Sequence, residues 1–239
     1  MIRIAIAVLI FLFSTGWSAA QGTRFGLKAG PSVGFQKWNY FQNGPLYKYH
    51  GALWIESYQE EDPFSIFAQA GYHVKGSATR FYGPIQIDNQ IYDIPANEFI
   101  FNNLSLQAGV KKKFLWSKLS GYYAFGLRGE YTLSTNLDSY DRINRLVPVY
   151  PFNSAVKRVL AGFTLGGGLE IPFGEFAGGI LELSISPDLT RQYFQPQINN
   201  IIDIFQPGRT TSIPEKSIKN LTLELSFGVY LTRKVIYVD

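Results

Sequence analysis

Through most of the chain apolar and polar residues alternate with a period of two, and turn residues cut that alternation into eight segments. The segments cover residues 24–35, 47–58, 64–75, 101–113, 119–133, 159–171, 177–189 and 218–231. The last is the clearest: Leu221, Leu223, Leu225, Phe227, Val229 and Leu231 fall on one side, and Asn220, Thr222, Glu224, Ser226, Gly228 and Tyr230 on the other. Each segment is long enough to cross the hydrocarbon of a membrane at a tilt, for which a strand needs about 9–11 residues. Alternation alone leaves the inward face undecided, since a soluble lipocalin-like barrel of about eight strands would turn its large apolar side chains inward.

Two features favour the opposite arrangement. The polar faces mix small residues with charges, as a narrow filled lumen requires. The links alternate as well: 59–63, 114–118 and 172–176 are short, whereas 36–46, 76–100, 134–158 and 190–217 are long. Short turns on one side and long loops on the other are the mark of an outer-membrane barrel. The pattern therefore predicts an all-β fold, a single eight-stranded antiparallel up-and-down transmembrane β-barrel over 21–239, with both termini on the periplasmic side. Aromatic residues near the segment ends predict two interfacial girdles. Trp38, Tyr40, Phe41, Tyr47, Tyr49, Phe81, Phe99 and Phe101 lie toward the long loops, and Phe64, Phe114, Trp116, Tyr122, Phe173 and Phe176 toward the short turns.

Residues 1–20 carry a separate signal. Arg3, an apolar run from Ile4 to Phe13 and the small residues Ser18, Ala19 and Ala20 follow the order of a secretory signal peptide, with cleavage expected after Ala20. That run is too short to span a bilayer as a helix. The implied destination is the bacterial outer membrane.

Composition narrows the chemistry. There is no cysteine, so disulfides, thiolate metal sites and iron–sulfur clusters are excluded, and two histidines are the remaining soft-metal ligands. Loss of the signal removes Arg3 and leaves 22 − 1 = 21 basic residues against 18 acidic ones. These are scattered and form no stripe that would engage nucleic acid.

Strand parity turns Lys28, Glu56, Lys75, Lys111, Arg128, Glu130, Glu170, Glu182 and Glu224 into the lumen, with His73 beside them. Lys28, Arg128, Glu182 and Glu224 fall near mid-depth, and the first and last strands must meet to close the barrel. These four are expected to form one buried structural network that plugs the lumen, because unpaired buried charge is prohibitive and eight strands leave room only for side chains. An enzyme would need a positioned nucleophile and base. His50 is placed at the outer start of the second strand and His73 in the upper lumen, with Ser32 and Ser77 the nearest hydroxyls, and no spacing marks an activated set. No catalytic, cofactor or metal site is assigned. The long loops are apolar and aromatic, and Phe81, Tyr82, Tyr92, Tyr150 and Phe152 are candidate contacts for a partner; packing of these loops upon one another is the equal alternative.

The opening Arg24-Phe25-Gly26-Leu27-Lys28-Ala29-Gly30, the stretch 123–133 centred on Gly126-Leu127-Arg128, the glycine-rich 165–170 and the closing 221–231 strand together resemble the PorT-type outer-membrane β-barrels of Bacteroidota. The resemblance runs over the whole mature chain and implies the barrel fold. It also implies a non-enzymatic structural or accessory role, tied in the family's name to protein secretion and requiring no cofactor. The expected partners are outer-membrane lipid and an outer-membrane or periplasmic protein. A narrow channel for ions or small solutes is the second expectation, and a lipid-modifying enzyme the third. The chain departs from the usual barrel ending by running on past Leu231 to Asp239.

Overall fold

The computed structural model describes residues 22–38, 43–59, 62–79, 85–87, 90–92, 97–116, 119–144, 150–202, 208 and 210–234. The expected signal peptide lies outside these. The strands in chain order are β1 (Gly22–Trp38), β2 (Gly44–Tyr58), β3 (Phe64–Thr79), β4 (Ile85–Ile87), β5 (Gln90–Tyr92), β6 (Asn97–Trp116), β7 (Leu119–Thr135), β8 (Val159–Pro172), β9 (Ala177–Pro187), β10 (Tyr193–Gln195), β11 (Ile198–Ile202), β12 (Thr210–Ile213) and β13 (Lys216–Lys234). The eight long ones pair antiparallel in the order β1-β2-β3-β6-β7-β8-β9-β13, and β13 pairs with β1 to close an eight-stranded up-and-down barrel. The remaining short strands belong to the links: β4 pairs with β5, β11 with β12, and β10 adds to the end of β13.

Successive side chains on a strand point to opposite faces, and here those faces differ completely. Leu127 is 65% exposed, whereas the next residue, Arg128, is 3% exposed. Leu27, Leu53, Leu106 and Leu183 are exposed in the same way, and the inward positions between them hold the buried charges. A surface this apolar is stable only against hydrocarbon, so the barrel is of the transmembrane kind. At the β1–β13 seam the apolar face runs from the pair Phe25 and Leu231 to the pair Phe35 and Leu221. At about 3.3 Å per residue and a tilt of about 40°, that span is roughly 25 Å tall, the height of an outer-membrane apolar band.

Most barrel strands run further outward than the alternation predicts. β1 reaches Trp38 and β2 begins at Gly44. The first outer link, expected to be long, therefore shrinks to 39–43 and is no longer than the 59–63 turn at the other end. β3 likewise continues to Thr79 and β6 starts at Asn97. Above the membrane both faces of a strand become polar or pack under loops, so the period-two signal fades before the strand ends. Gly76 sits in this extension with φ 154°, where a Cβ would lie 1.9 Å from the Phe99 carbonyl oxygen, so only glycine fits.

The outer mouth is covered. The 136–158 link forms a 3₁₀ turn at Leu137–Tyr140, one helical turn, α1, at Asp141–Asn144, and a second 3₁₀ turn at Asn153–Ala155. These lie over an apolar core of Trp38, Phe99, Phe101, Leu137, Tyr140, Tyr193 and Ile218. Trp38, Phe99 and Phe101 were expected in the outer aromatic girdle; they are buried instead, because the extended strands carry them above the lipid and under the cap. Tyr122, expected in the periplasmic girdle, points into the lumen at 2% exposure. Tyr47 and Tyr49 on the outer side, and Phe64, Phe114, Phe173 and Phe176 on the other, are exposed at the predicted edges. Tyr40, Phe41 and Phe81, and the side chain of Trp116, lie outside what is described.

Candidate functional site

The lumen is filled by charged and polar side chains stacked in four levels. Nearest the periplasmic end, Arg24 on β1 pairs with Glu170 on β8 at 2.7 Å and with Glu56 on β2 at 3.8 Å. Lys111 and Lys113 on β6 both close on Glu56 and reach Glu170 at 3.3 and 3.5 Å. Three cations thus share two carboxylates. Aromatic faces take up part of the excess: the Arg24 guanidinium lies 4.1 Å from the Tyr58 ring centre and Lys111 4.3 Å from that of Tyr122.

One level up, Lys28 pairs with Glu182 at 2.5 Å, and the Tyr122 hydroxyl donates to the same carboxylate at 2.7 Å. A cavity of about 20 Å³ lies here, lined by Lys28, Trp54, Gln69, Gln107, Thr164 and Glu182 among others. That is room for a water, and the buried Trp54 Nε1–H, which has no hydrogen-bond partner among the described residues, supplies a donor for one.

The third level holds both histidines. His73 Nδ1 faces Glu224 and its Nε2 lies 2.6 Å from Ser105 Oγ. His50 stacks 6.0 Å from His73 with its Nε2 2.8 Å from Ser226 Oγ. The fourth level pairs two cations with two anions: Lys75 with Glu130 and Asp188 at 2.7 and 3.0 Å, and Arg128 with the same two at 2.7 Å each. Asn103 donates to Glu130 and Asn220 to Asp188.

The four residues expected as one network are therefore distributed over three levels. Lys28 and Glu182 are partners. Glu224 belongs to His73, and Arg128 to Glu130 and Asp188. Register explains the separation: on β13 Lys28 faces Gly228, whereas Glu224 faces Ser32. The two residues are on neighbouring strands but four steps apart in height, about 13 Å along the strand. Arg24, Lys113, Asp188 and His50 are lumen residues that the sequence reading missed. The first three have the parity of Lys28, Lys111 and Glu182 and lie inside the predicted segments 24–35, 101–113 and 177–189, so carrying that parity to the segment ends finds them. His50 was placed at the outer start of β2, beside Ser32 and Ser77; its hydroxyl partner is Ser226, on a strand far away in sequence.

Ser105, His73 and Glu224 stand in the order of a hydroxyl–imidazole–carboxylate relay. They are 1%, 3% and 5% exposed, and none lines the lumen cavity. Ser105 Oγ donates to the Gly71 carbonyl at 3.3 Å, and a Cβ at Gly71 would lie 3.1 Å from it. An acyl group has no place beside that hydroxyl, so the relay works as a hydrogen-bonded brace between β3, β6 and β13. Among the described residues no three His, Asp or Glu side chains converge on a metal position.

Of the candidate loop contacts, Tyr150 turns inward. Its ring stacks 4.8 Å from Tyr140 and 6.0 Å from Phe99, and its hydroxyl accepts from Asn97 at 3.2 Å. Phe152 is half-buried, and its amide donates to the Tyr193 hydroxyl at 3.1 Å. Phe81, Tyr82 and the side chain of Tyr92 lie outside the described residues.

Closed strand order, apolar outer face and charged lumen define an eight-stranded transmembrane β-barrel of the bacterial outer-membrane type. No protein-family model matches the sequence, and no curated protein matches it. Among solved structures the chain is similar to Neisserial surface protein A, with 10% identity over 87% of this chain and 96% of that one at a TM-score of 0.45. It is similar also to the outer membrane protein OprG from Pseudomonas aeruginosa, with 10% identity over 88% and 98% at 0.48. A major outer membrane protein from Thermus thermophilus is similar at 15% identity over 88% and 99%, with a TM-score of 0.42.

Proposed function

We propose that this chain is a non-enzymatic, non-conducting outer-membrane barrel that docks a protein partner on its outer face. The observation that carries this reading is the cap: the described parts of the 136–158 link and β10 fold over the mouth on an apolar core shared with the outer strand ends. A loop set packed on an apolar core presents a pre-organised surface, which lowers the ordering cost of binding. The four polar levels beneath it favour a structural lumen over a channel, since contacts across the barrel fill each of them. An accessory role tied to protein secretion, as the PorT-like residues suggest, is compatible with such a platform.

A mild-detergent affinity pull-down from the native outer membrane, with bound proteins identified by mass spectrometry, tests the proposal. A stoichiometric partner that is lost on replacing 145–157 by a short glycine–serine link is the expected result. A clean monomer, together with a large and steady conductance in planar bilayers, would replace the proposal with the channel.

A further inference from the structure

The apolar face of the β1–β13 seam stops at one level on both strands. Phe35 faces Leu221, and two residues further out Lys37 faces Lys219 on the same outward side. Both lysines are exposed. Like charges directly opposite on paired strands repel, and among the described residues neither lysine makes an ion pair that would relieve the repulsion. Two other cations at the outer end find carboxylates. Lys48 pairs with Glu98 at 2.7 Å and Arg191 with Glu215 at 3.5 Å. What sets Lys37 and Lys219 apart is that they face each other on paired strands, and their height is informative. They sit immediately above an apolar band roughly 25 Å tall, where outer-leaflet headgroups lie.

From this placement we infer that Lys37 and Lys219 form a binding site for the phosphate of an acylated glycolipid of the lipid A class. Two ammonium groups on adjacent strands can take one phosphate between them, each giving a charge-assisted hydrogen bond and losing its repulsion from the other. Their aliphatic stems lie along the apolar face while the charged heads stay at the polar boundary. Directly below, Val33, Phe35, Leu221 and Leu223 give the acyl chains a continuous apolar wall. Free phosphate would use the lysines but not the wall, which is why the site is assigned to the lipid. The site is independent of the cap and of any protein partner.

The full chain in detergent, titrated with diphosphoryl lipid A and read by native mass spectrometry, tests the inference. The double variant Lys37→Gln with Lys219→Gln is expected to weaken binding at least tenfold. A control with Lys112→Gln and Arg233→Gln removes the same charge at the periplasmic edge and is expected to bind as the unaltered chain does. Dephosphorylated lipid A and inorganic phosphate should each bind at least tenfold more weakly than diphosphoryl lipid A. Lys37→Glu separates a lipid site from a structural role: opposite charges across the seam should raise the unfolding temperature while binding falls. Equal loss in the periplasmic control, or binding that ignores the phosphates, would overturn the site, as would a double variant within twofold of the unaltered chain.

Discussion

The two ends of the barrel are closed by opposite physics. At the periplasmic end Arg24, Lys111 and Lys113 crowd around Glu56 and Glu170, so closure depends on charge compensation inside a narrow tube. At the outer end Trp38, Phe99, Leu137 and Tyr193 make an apolar lid of the kind that fills a soluble protein's core. A charged plug is all or nothing, because removing one partner strands the others away from water. An apolar lid is graded, because each side chain contributes its own buried area and its neighbours can partly collapse. The barrel therefore places its brittle closure at the end with the short turns. The adaptable one faces the outside.

The largest expected effect is that of Glu56→Ala, which leaves three cations on Glu170 alone. Breaking a buried pair from one side costs about 3–5 kcal/mol. Urea unfolding of the vesicle-reconstituted protein, followed by tryptophan fluorescence, should show a loss of that order. In the lid, Leu137→Ala removes a fully buried side chain at a cost of about 2–3 kcal/mol, the low end for such a change because the surface turn can relax. Its effect should be local: proteolytic nicking within 136–158 accelerates, while global unfolding moves by less than about 0.5 kcal/mol, since the lid's local opening is separable from the barrel's. If Leu137→Ala lowers global stability as far as Glu56→Ala does, lid and plug are one cooperative unit and the contrast between them fails.

These two regions also mark the limit of what the sequence makes legible. In the membrane, alternation between hydrocarbon and lumen leaves a strict period: Leu221 to Leu231 against Asn220 to Tyr230 separates two faces, and the charges on the polar faces together with the alternating link lengths decide which one looks inward. Pairing inside the lumen is harder to read. Which carboxylate meets which cation depends on register between strands: parity puts Lys28, Glu182 and Glu224 inside, but only the facing of Ser32 and Glu224 shows that Lys28 and Glu224 are at different heights. The lid is the least legible. Trp38, Phe99 and Phe101 carry the composition of an interfacial girdle, and their burial is decided by a link distant in sequence that folds back over them.

The smallest effect comes from a single hydroxyl in the lid. Tyr193 is fully buried, donates to Gln195 Oε1 at 2.6 Å and accepts from the Phe152 amide at 3.1 Å. Tyr193→Phe keeps the ring and leaves that amide without its acceptor, a change of about 1 kcal/mol, so nicking within 136–158 should rise severalfold at neutral pH. Burial pushes the Tyr193 hydroxyl above its ordinary value, while the Phe152 amide pulls the other way. With the folded value raised, the hydroxyl's contribution is complete below the ordinary tyrosine value of about 10 and is lost as pH climbs through the folded one. Tyr140, beside Tyr150 and Glu98, is raised as well, again chiefly by burial. The lid should therefore loosen in alkali while the barrel below it stays closed. In Tyr193→Phe the alkaline rise in nicking should be smaller than in the unaltered chain, because one of the two ionising groups is gone. An undiminished rise would assign the alkaline loosening to Tyr140 and leave Tyr193 as a neutral brace.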